Sequence, residues 1–199
     1  MGATDELAVT FAPHEAEFQA TTDGISARVA VTVAPATDVE IRRVTLINQD
    51  ARPRRLHVTN FAEVSLARAE EDRRHPAFVK LFVESSYHPD VETLVFRRRP
   101  ASPDEPPLYV AHPLAYQPWA GEVIAWETDR ERFLGRGRGA ANPAAMDGVP
   151  PDHPGSPTFD PAMSVRRVMR LAPGESVTLD AVWGVAPDRD TAFTLSLIH

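Results

Sequence analysis

Residues 39–66 read VEIRRVTLINQDARPRRLHVTNFAEVSL, and the reading of this stretch decides the fold. From Arg54 onward it alternates strictly. Leu56, Val58, Asn60, Ala62, Val64 and Leu66 fall on one side, the pattern of a strand with one buried face. The first half alternates through Val39 and Ile41, slips phase at Arg42-Arg43, and resumes with Val44 and Leu46, which predicts a bulge or a local twist. Between the two runs lies Asn48-Gln49-Asp50-Ala51-Arg52-Pro53, a turn cluster whose Asn and Asp side chains satisfy nearby backbone groups and whose proline sets φ. A β-hairpin across residues 39–66 is the expectation.

Working outward toward the N-terminus, residues 7–11 and 15–20 read as short strands. Residues 25–34 (ISARVAVTVA) set Ile25, Ala27, Val29, Val31 and Val33 on a buried face and Ser26, Arg28, Ala30 and Thr32 on a wet one. In the other direction, residues 67–75 (ARAEEDRRH) predict a polar loop or short helical turn. Strands follow at 77–87 and 91–99, joined at His88-Pro89-Asp90. The proline-rich 100–107 (PASPDEPP) cannot pair inside a sheet. Strand character returns at 108–116 and 122–128, around Pro118 and Gly121. Residues 135–160 lack periodicity and predict a long irregular loop. A last pair, 163–171 and 176–185, is joined by Ala172-Pro173-Gly174-Glu175, a tight-turn signature. From Asp188 a short helix begins, with Ala192, Leu195 and Ile198 on one face. So many short strands predict an all-β, antiparallel β-sandwich with long Pro-rich loops and a short C-terminal helix. The expected division is a sandwich over 1–187 and the beginning of a helix over 188–199.

Composition narrows the class further. The chain has 199 residues, 43% of them hydrophobic, with no cysteine and a formal charge of −7. That length supports one domain with a proper core, and the missing cysteines exclude a disulfide framework or a Cys-ligated metal. Twelve of the 19 prolines fall between Pro100 and Pro161, which argues against a helical bundle. The acidic balance argues against nucleic-acid binding. No apolar run is long enough to span a bilayer and residues 1–9 (MGATDELAV) lack a signal-peptide pattern, so a soluble, cytoplasmic protein is expected.

Few residues announce chemistry. The seven histidines, His14, His57, His75, His88, His112, His153 and His199, share no metal-ligand spacing, and His57 alternates outward from its strand. No nucleophile-elbow or phosphate-loop motif is present, so no metal and no cofactor is expected. Glu63, Glu127 and Asp129 are carboxylates in strand regions, but spacing alone does not make a glycosidase pair of them. The sharpest local feature is residues 126–138, WETDRERFLGRGR. Two readings fit it. Glycines around Arg136 and Arg138 allow a close approach to a ligand or another subunit, with both guanidiniums projecting together. Equally, it fits a flexible basic loop balanced by Glu127, Asp129 and Glu131. Aromatic platforms for sugar stacking would come from Tyr109, Tyr116, Trp119 or Trp126, with Trp119 in the Pro118-Trp119-Ala120-Gly121 turn the most exposed, whereas Trp126 and Trp183 sit in core phase.

Five separated stretches, VTLINQDARPRRLHVTNFAEVSLA, HPAFVKLFVES, FRRRPASPDEPPLYVAH, ETDRERFLGRGR and SVRRVMRLAPGESV, occur in an order that resembles the N-terminal β-sandwich of glycoside hydrolase family 94. The likeness is to the branch of cyclic β-1,2-glucan synthases and β-1,2-oligoglucan phosphorylases, formerly grouped with glycosyltransferase family 36, and runs from about Val9 to Val185. It implies a supersandwich of galactose-mutarotase-like type over 1–187, followed in the family by a helical linker, of which 188–199 would be the truncated start, and by an (α/α)6 barrel that holds the catalytic residues. No catalytic residue is therefore expected in this chain. Its expected role is assembly and contact with a β-glucan or oligosaccharide, its partner being the (α/α)6 catalytic domain or a second copy in a homodimer. Arg138, with Arg136 second, matches the loop that reaches substrate or partner in the family, and Trp119 and Tyr116 are the further contact candidates. The alternatives left open are a stand-alone carbohydrate-binding module and a purely structural remnant of a truncated gene.

Overall fold

The computed structural model describes residues 7–100, 102–117, 122–148 and 158–197. The N-terminal half contributes strands β1 (Ala8–Ala12), β2 (Glu15–Thr22), β3 (Ile25–Val33), β4 (Val39–Asn48), β5 (Arg54–Thr59) and β6 (Ala62–Glu63). Two short helices follow, α1 (Ala69–Arg74) and α2 (Pro76–Lys80), then β7 (Val83–His88), β8 (Thr93–Arg98), β9 (Leu108–Gln117) and β10 (Glu122–Asp129). Helix α3 (Arg130–Leu134) leads to a 3-10 turn at Ala144–Asp147, and β11 (Pro161–Leu171), β12 (Ser176–Ala186) and α4 (Arg189–Ser196) complete the described chain. All strand pairs are antiparallel. They form an eight-stranded sheet of order β1-β2-β3-β4-β12-β9-β8-β7 facing a smaller one, β10-β11-β5, with β6 also on β11.

The expected hairpin at 39–66 does not form. Both runs are strands, but β4 pairs with β3 and β12 in the large sheet while β5 pairs with β11 in the small one. The turn cluster is a corner at which the chain changes sheets. The same holds at the other end, where 163–171 and 176–185 also lie in different sheets. Ala172-Pro173-Gly174-Glu175 does make its tight turn, with Glu175 N–H donating to Ala172 O at 3.0 Å and Gly174 at φ +75° as the third residue of a type II turn demands. Asn48, fully buried, ties the two corners together. Its Nδ2 donates to Arg52 O (2.8 Å), Leu171 O (3.1 Å) and Ala172 O (3.1 Å), its Oδ1 accepts from Asp50 N–H (3.1 Å), and its backbone bonds Gly174 and Glu175.

Between the sheets the core gathers Leu46, Leu94, Phe96, Leu114, Val165, Met169, Leu171 and Leu179, with Leu56, Val58 and Ala62 packed on it as their alternation predicts. No bulge occurs at Arg42-Arg43, since β4 runs in unbroken register against β3 and β12. The phase slip has another cause. Val44 and Leu46 pair with Leu179 and Val177 on the inner face, whereas Val39 and Ile41 share the face of Gly184 and Val182, which is buried on the outer side. Helix α4 lies on that outer side, with Ala192 packed against Val95, Ala111 and Ala186, and Leu195 beside them; Ile198 falls outside the described residues.

Two further expectations are corrected. Residues 77–82 are not strand: Pro76 opens α2 at the first helical position, where its missing N–H costs nothing, and the strand starts only at Val83. In β3 the clean division of faces also fails. Ser26 and Ala30 are buried, because small side chains sink between the longer residues paired beside them, whereas Val33 is 65% exposed. Val9 and Phe11 on β1 are exposed too, Phe11 by 77%, so the inner face of the large sheet runs on past the small sheet without cover.

A second polar tie crosses the core itself. Val165 N–H of β11 donates to Asn60 Oδ1 (2.6 Å), Asn60 Nδ2 donates to His112 Nε2, and His112 Nδ1–H donates to Val182 O of β12 (2.7 Å). Burial pushes His112 down to about 4, with the nearby Arg42 charge adding to the effect and the Val182 bond opposing it. The ring is thus neutral, stacked on Trp183 at 4.6 Å, whose other face carries the Arg42 guanidinium at 4.5 Å.

Candidate functional site

The segment after β10 is built from its carboxylates. Glu127 is buried and its Oε1 accepts from Thr128 and Asp129 N–H, both at 2.9 Å. Asp129 caps α3 by accepting from Arg132 N–H (3.0 Å) and takes the Thr158 hydroxyl on its other oxygen (2.7 Å). Glu63 is paired with Arg130 at 2.6 Å. All three acidic candidates are therefore engaged, Glu127 and Asp129 by backbone N–H groups and Glu63 by an arginine.

Helix α3 buries Phe133 and Leu134 in a small cluster with Ala145, and Phe61 stacks on Phe133 at 4.3 Å. It ends at Gly135, whose N–H returns to Glu131 O at 2.7 Å. Only glycine fits there: φ is +81°, and a Cβ would sit 2.5 Å from that of Ala144. Beyond it the loop turns three times, with Arg138 N–H to Gly135 O, Asn142 N–H to Gly139 O and Met146 N–H to Pro143 O. Arg166 of β11 closes the loop from beneath. Its guanidinium is buried and donates to Thr59 Oγ1 (2.8 Å), Ala145 O (2.5 Å) and Gly148 O. The 135–148 loop is therefore an ordered ledge on the outside of the small sheet.

On this ledge Arg138 donates to Asp147 Oδ2 at 2.5 Å, an exposed pair that holds the guanidinium within the loop. Arg136 is exposed and makes no hydrogen bond or ion pair among the described residues. Of the aromatic candidates, Trp126 stacks on Tyr87 at 4.9 Å against the core, and Tyr109 has Arg97 over its ring at 5.8 Å. Tyr116 lies in β9 opposite Leu179, with its side chain outside the described set, as is all of Trp119. The structure does not bring the arginines and the aromatic candidates into one described site. Among the described residues no three His, Asp or Glu side chains are placed to hold a metal ion. His57 is exposed, as its phase predicts.

Arg166 and Arg167 are the residues that sequence reading passed over. Arg167 is in phase with Val165 and Met169, so it points between the sheets, where it donates to Leu114 O and Glu92. The signal was the alternation itself, since an arginine in register with core positions is either buried and paired or not in a strand.

The architecture is thus an all-antiparallel sandwich of one wide and one narrow sheet, with an arginine-bearing ledge on the narrow one. The chain belongs to the family described as "Glycosyl hydrolase 94, supersandwich domain", which matches residues 1–197. It is 38% identical over 193 residues to the cyclic beta-(1,2)-glucan synthase NdvB of Rhizobium meliloti (strain 1021), covering 94% of this chain and 7% of that much longer protein. Among solved structures, it is similar to a polysaccharide lyase at TM-score 0.48 and 10% identity, covering 91% of this chain and 23% of the other. An aldose 1-epimerase-like protein of Klebsiella pneumoniae follows at TM-score 0.40 and 10% identity, covering 96% and 56%. No helix among the described residues is long and apolar enough to cross a membrane.

Proposed function

We propose that this chain acts as a non-catalytic supersandwich domain of β-1,2-glucan processing, presenting the 135–148 ledge to an (α/α)6 catalytic domain or to the sugar held there. One observation carries the reading: a loop rich in glycine is held rigid by the buried Arg166, and the group it displays, Arg136, is exposed and has no partner among the described residues. A loop that merely connected β10 to β11 would need no buried guanidinium beneath it. Arg138, engaged by Asp147, orients the loop and stands second to Arg136 as the contacting group. The uncovered strip of Phe11, Val9 and Val33 fits the same role, because apolar surface of this kind is what a neighbouring domain or a second copy covers. The stand-alone sugar-binding module finds less support, since the faces of Trp126 and Trp183 are occupied by Tyr87, His112 and Arg42.

The test has two arms. The chain alone, given β-1,2-glucan and inorganic phosphate, releases no glucose 1-phosphate; enzymatic release would overturn the non-catalytic assignment. Titrated with a purified (α/α)6 domain of the family, the chain binds, and Arg136→Ala weakens binding about tenfold, as expected for one charge-assisted hydrogen bond. Equal binding by wild type and variant would remove the ledge from the interface.

A further inference from the structure

The largest cavity described lies away from the ledge. It holds about 710 Å³, open to solvent, within the range of roughly 300–1,000 Å³ usual for small-molecule sites. No residue of the 135–148 loop lines it. Its walls come from residues 66–68 before α1, the 102–108 approach to β9, and the 185–187 exit from β12.

At its wall stands Arg98, only 9% exposed. Its guanidinium is poorly served for so buried a charge. Nη1 donates to Leu66 O at a long 3.3 Å; Glu71 lies 3.6 Å from Nη2; Glu105 lies 3.4 Å from Nε but out of line, so Nε has no hydrogen-bond partner among the described residues. A buried N–H left unsatisfied costs free energy that a bound acceptor would recover. Leu66, whose carbonyl points to Arg98, adopts φ +51°, a left-handed conformation that a leucine adopts rarely.

The lining chemistry selects the acceptor. Arg68 and Arg98 face Asp38, Glu71 and Glu105, so the wall already carries one more negative than positive charge, and an anion is disfavoured. A hydroxyl is the group that accepts from a guanidinium and donates to a carboxylate at once. Pro106, Pro107, Leu108 and Val185 supply an apolar wall for the carbon face of a ring. From this geometry we infer that the cavity binds a neutral, polyhydroxylated ring, a hexose unit or short glucan, with Arg98 as its central donor. The site does not depend on the ledge and stands whether or not the ledge contacts a catalytic domain.

The experiment is an amide and arginine side-chain NMR titration of the 199-residue chain with glucose, with the β-1,2-linked glucose disaccharide, and with glucuronate as the anionic control. Saturable shifts are expected for the neutral sugars at residues 66–71 and 102–108 and at Arg98 Nε–H. Arg98→Gln should weaken this about tenfold. Ser102→Trp, at an exposed lining position, fills the mouth without touching the buried ion pairs and should abolish it, which keeps the test decisive if Arg98→Gln does not fold. No shifts at these residues, shifts confined to 135–148, undiminished binding in a folded Ser102→Trp, or tighter binding of glucuronate would each overturn the assignment.

Discussion

Replacing Asn48 with alanine tests whether one carboxamide holds both sheet-changing corners. The substitution deletes three bonds donated by Nδ2 and one accepted by Oδ1, the three acceptor carbonyls sharing the two N–H groups of Nδ2. Each such bond contributes about 1 kcal/mol net, and stranding the buried Leu171 carbonyl adds roughly 1–3 kcal/mol. The Arg52 and Ala172 carbonyls lie nearer the surface and recover water, which trims the total. A loss of about 3–5 kcal/mol is expected, a large part of the ~5–15 kcal/mol that stabilises a typical domain. Urea unfolding followed by circular dichroism measures it, with Arg55→Ala, an exposed position on the neighbouring strand, as the control expected within about 0.5 kcal/mol of wild type. If Asn48→Ala unfolded with an unchanged m value and within about 1 kcal/mol of wild type, the corners would be held by their backbone turns alone and the argument would fail.

His112 makes stability depend on pH. Its proton affinity is lowered from 6.5 to about 4 in the folded state, so above 6.5 neither state carries the proton, while between 6.5 and 4 the unfolded chain takes it up first. Stability should therefore fall by roughly 3 kcal/mol in total as pH drops through that window, and His112→Gln should flatten this component in denaturant titrations at stepped pH. Gly135→Ala forces a Cβ against Ala144 and should cost about 2–3 kcal/mol, whereas Gly137→Ala, at φ +74° with nothing within 4 Å, should cost only about 1 kcal/mol of backbone strain; thermal melts separate the two. Arg166→Met should leave the sandwich folded but speed proteolysis and amide exchange within 135–148, since it frees two loop carbonyls. Arg138→Ala, which removes only an exposed ion pair, should change stability by less than about 1 kcal/mol.

Strand positions were legible because alternation is local: 54–66 showed its buried face through Leu56, Val58, Ala62 and Val64, and all four pack on the core. Strand partners were not. A turn such as Asn48 to Pro53 looks the same whether it closes a hairpin or sends the chain to the opposite sheet, and what decides is a carbonyl 123 residues away. The helix at Pro76–Lys80 was missed because a five-residue apolar run has no resolvable period. For the site, the glycine and arginine spacing marked the ledge. It could not show that Asp147 rather than a ligand holds Arg138, nor that Arg98 borders a cavity, since both depend on contacts across loops.

The strand order carries a consequence for how the chain is made. The middle strands of the two sheets, β12 and β11, follow every other described strand in the chain, and Arg43 waits for Asp180, 137 residues later, to complete its pairing. Translation at about 5–20 residues per second leaves β4 and β5 without their central neighbours for many seconds. Such long-range closure makes folding slow, and the waiting strand edges are the surface on which a nascent chain aggregates. Expression of this domain should respond to chaperone supply more than its final stability would suggest, because the interval of greatest exposure ends only when β11 and β12 leave the ribosome.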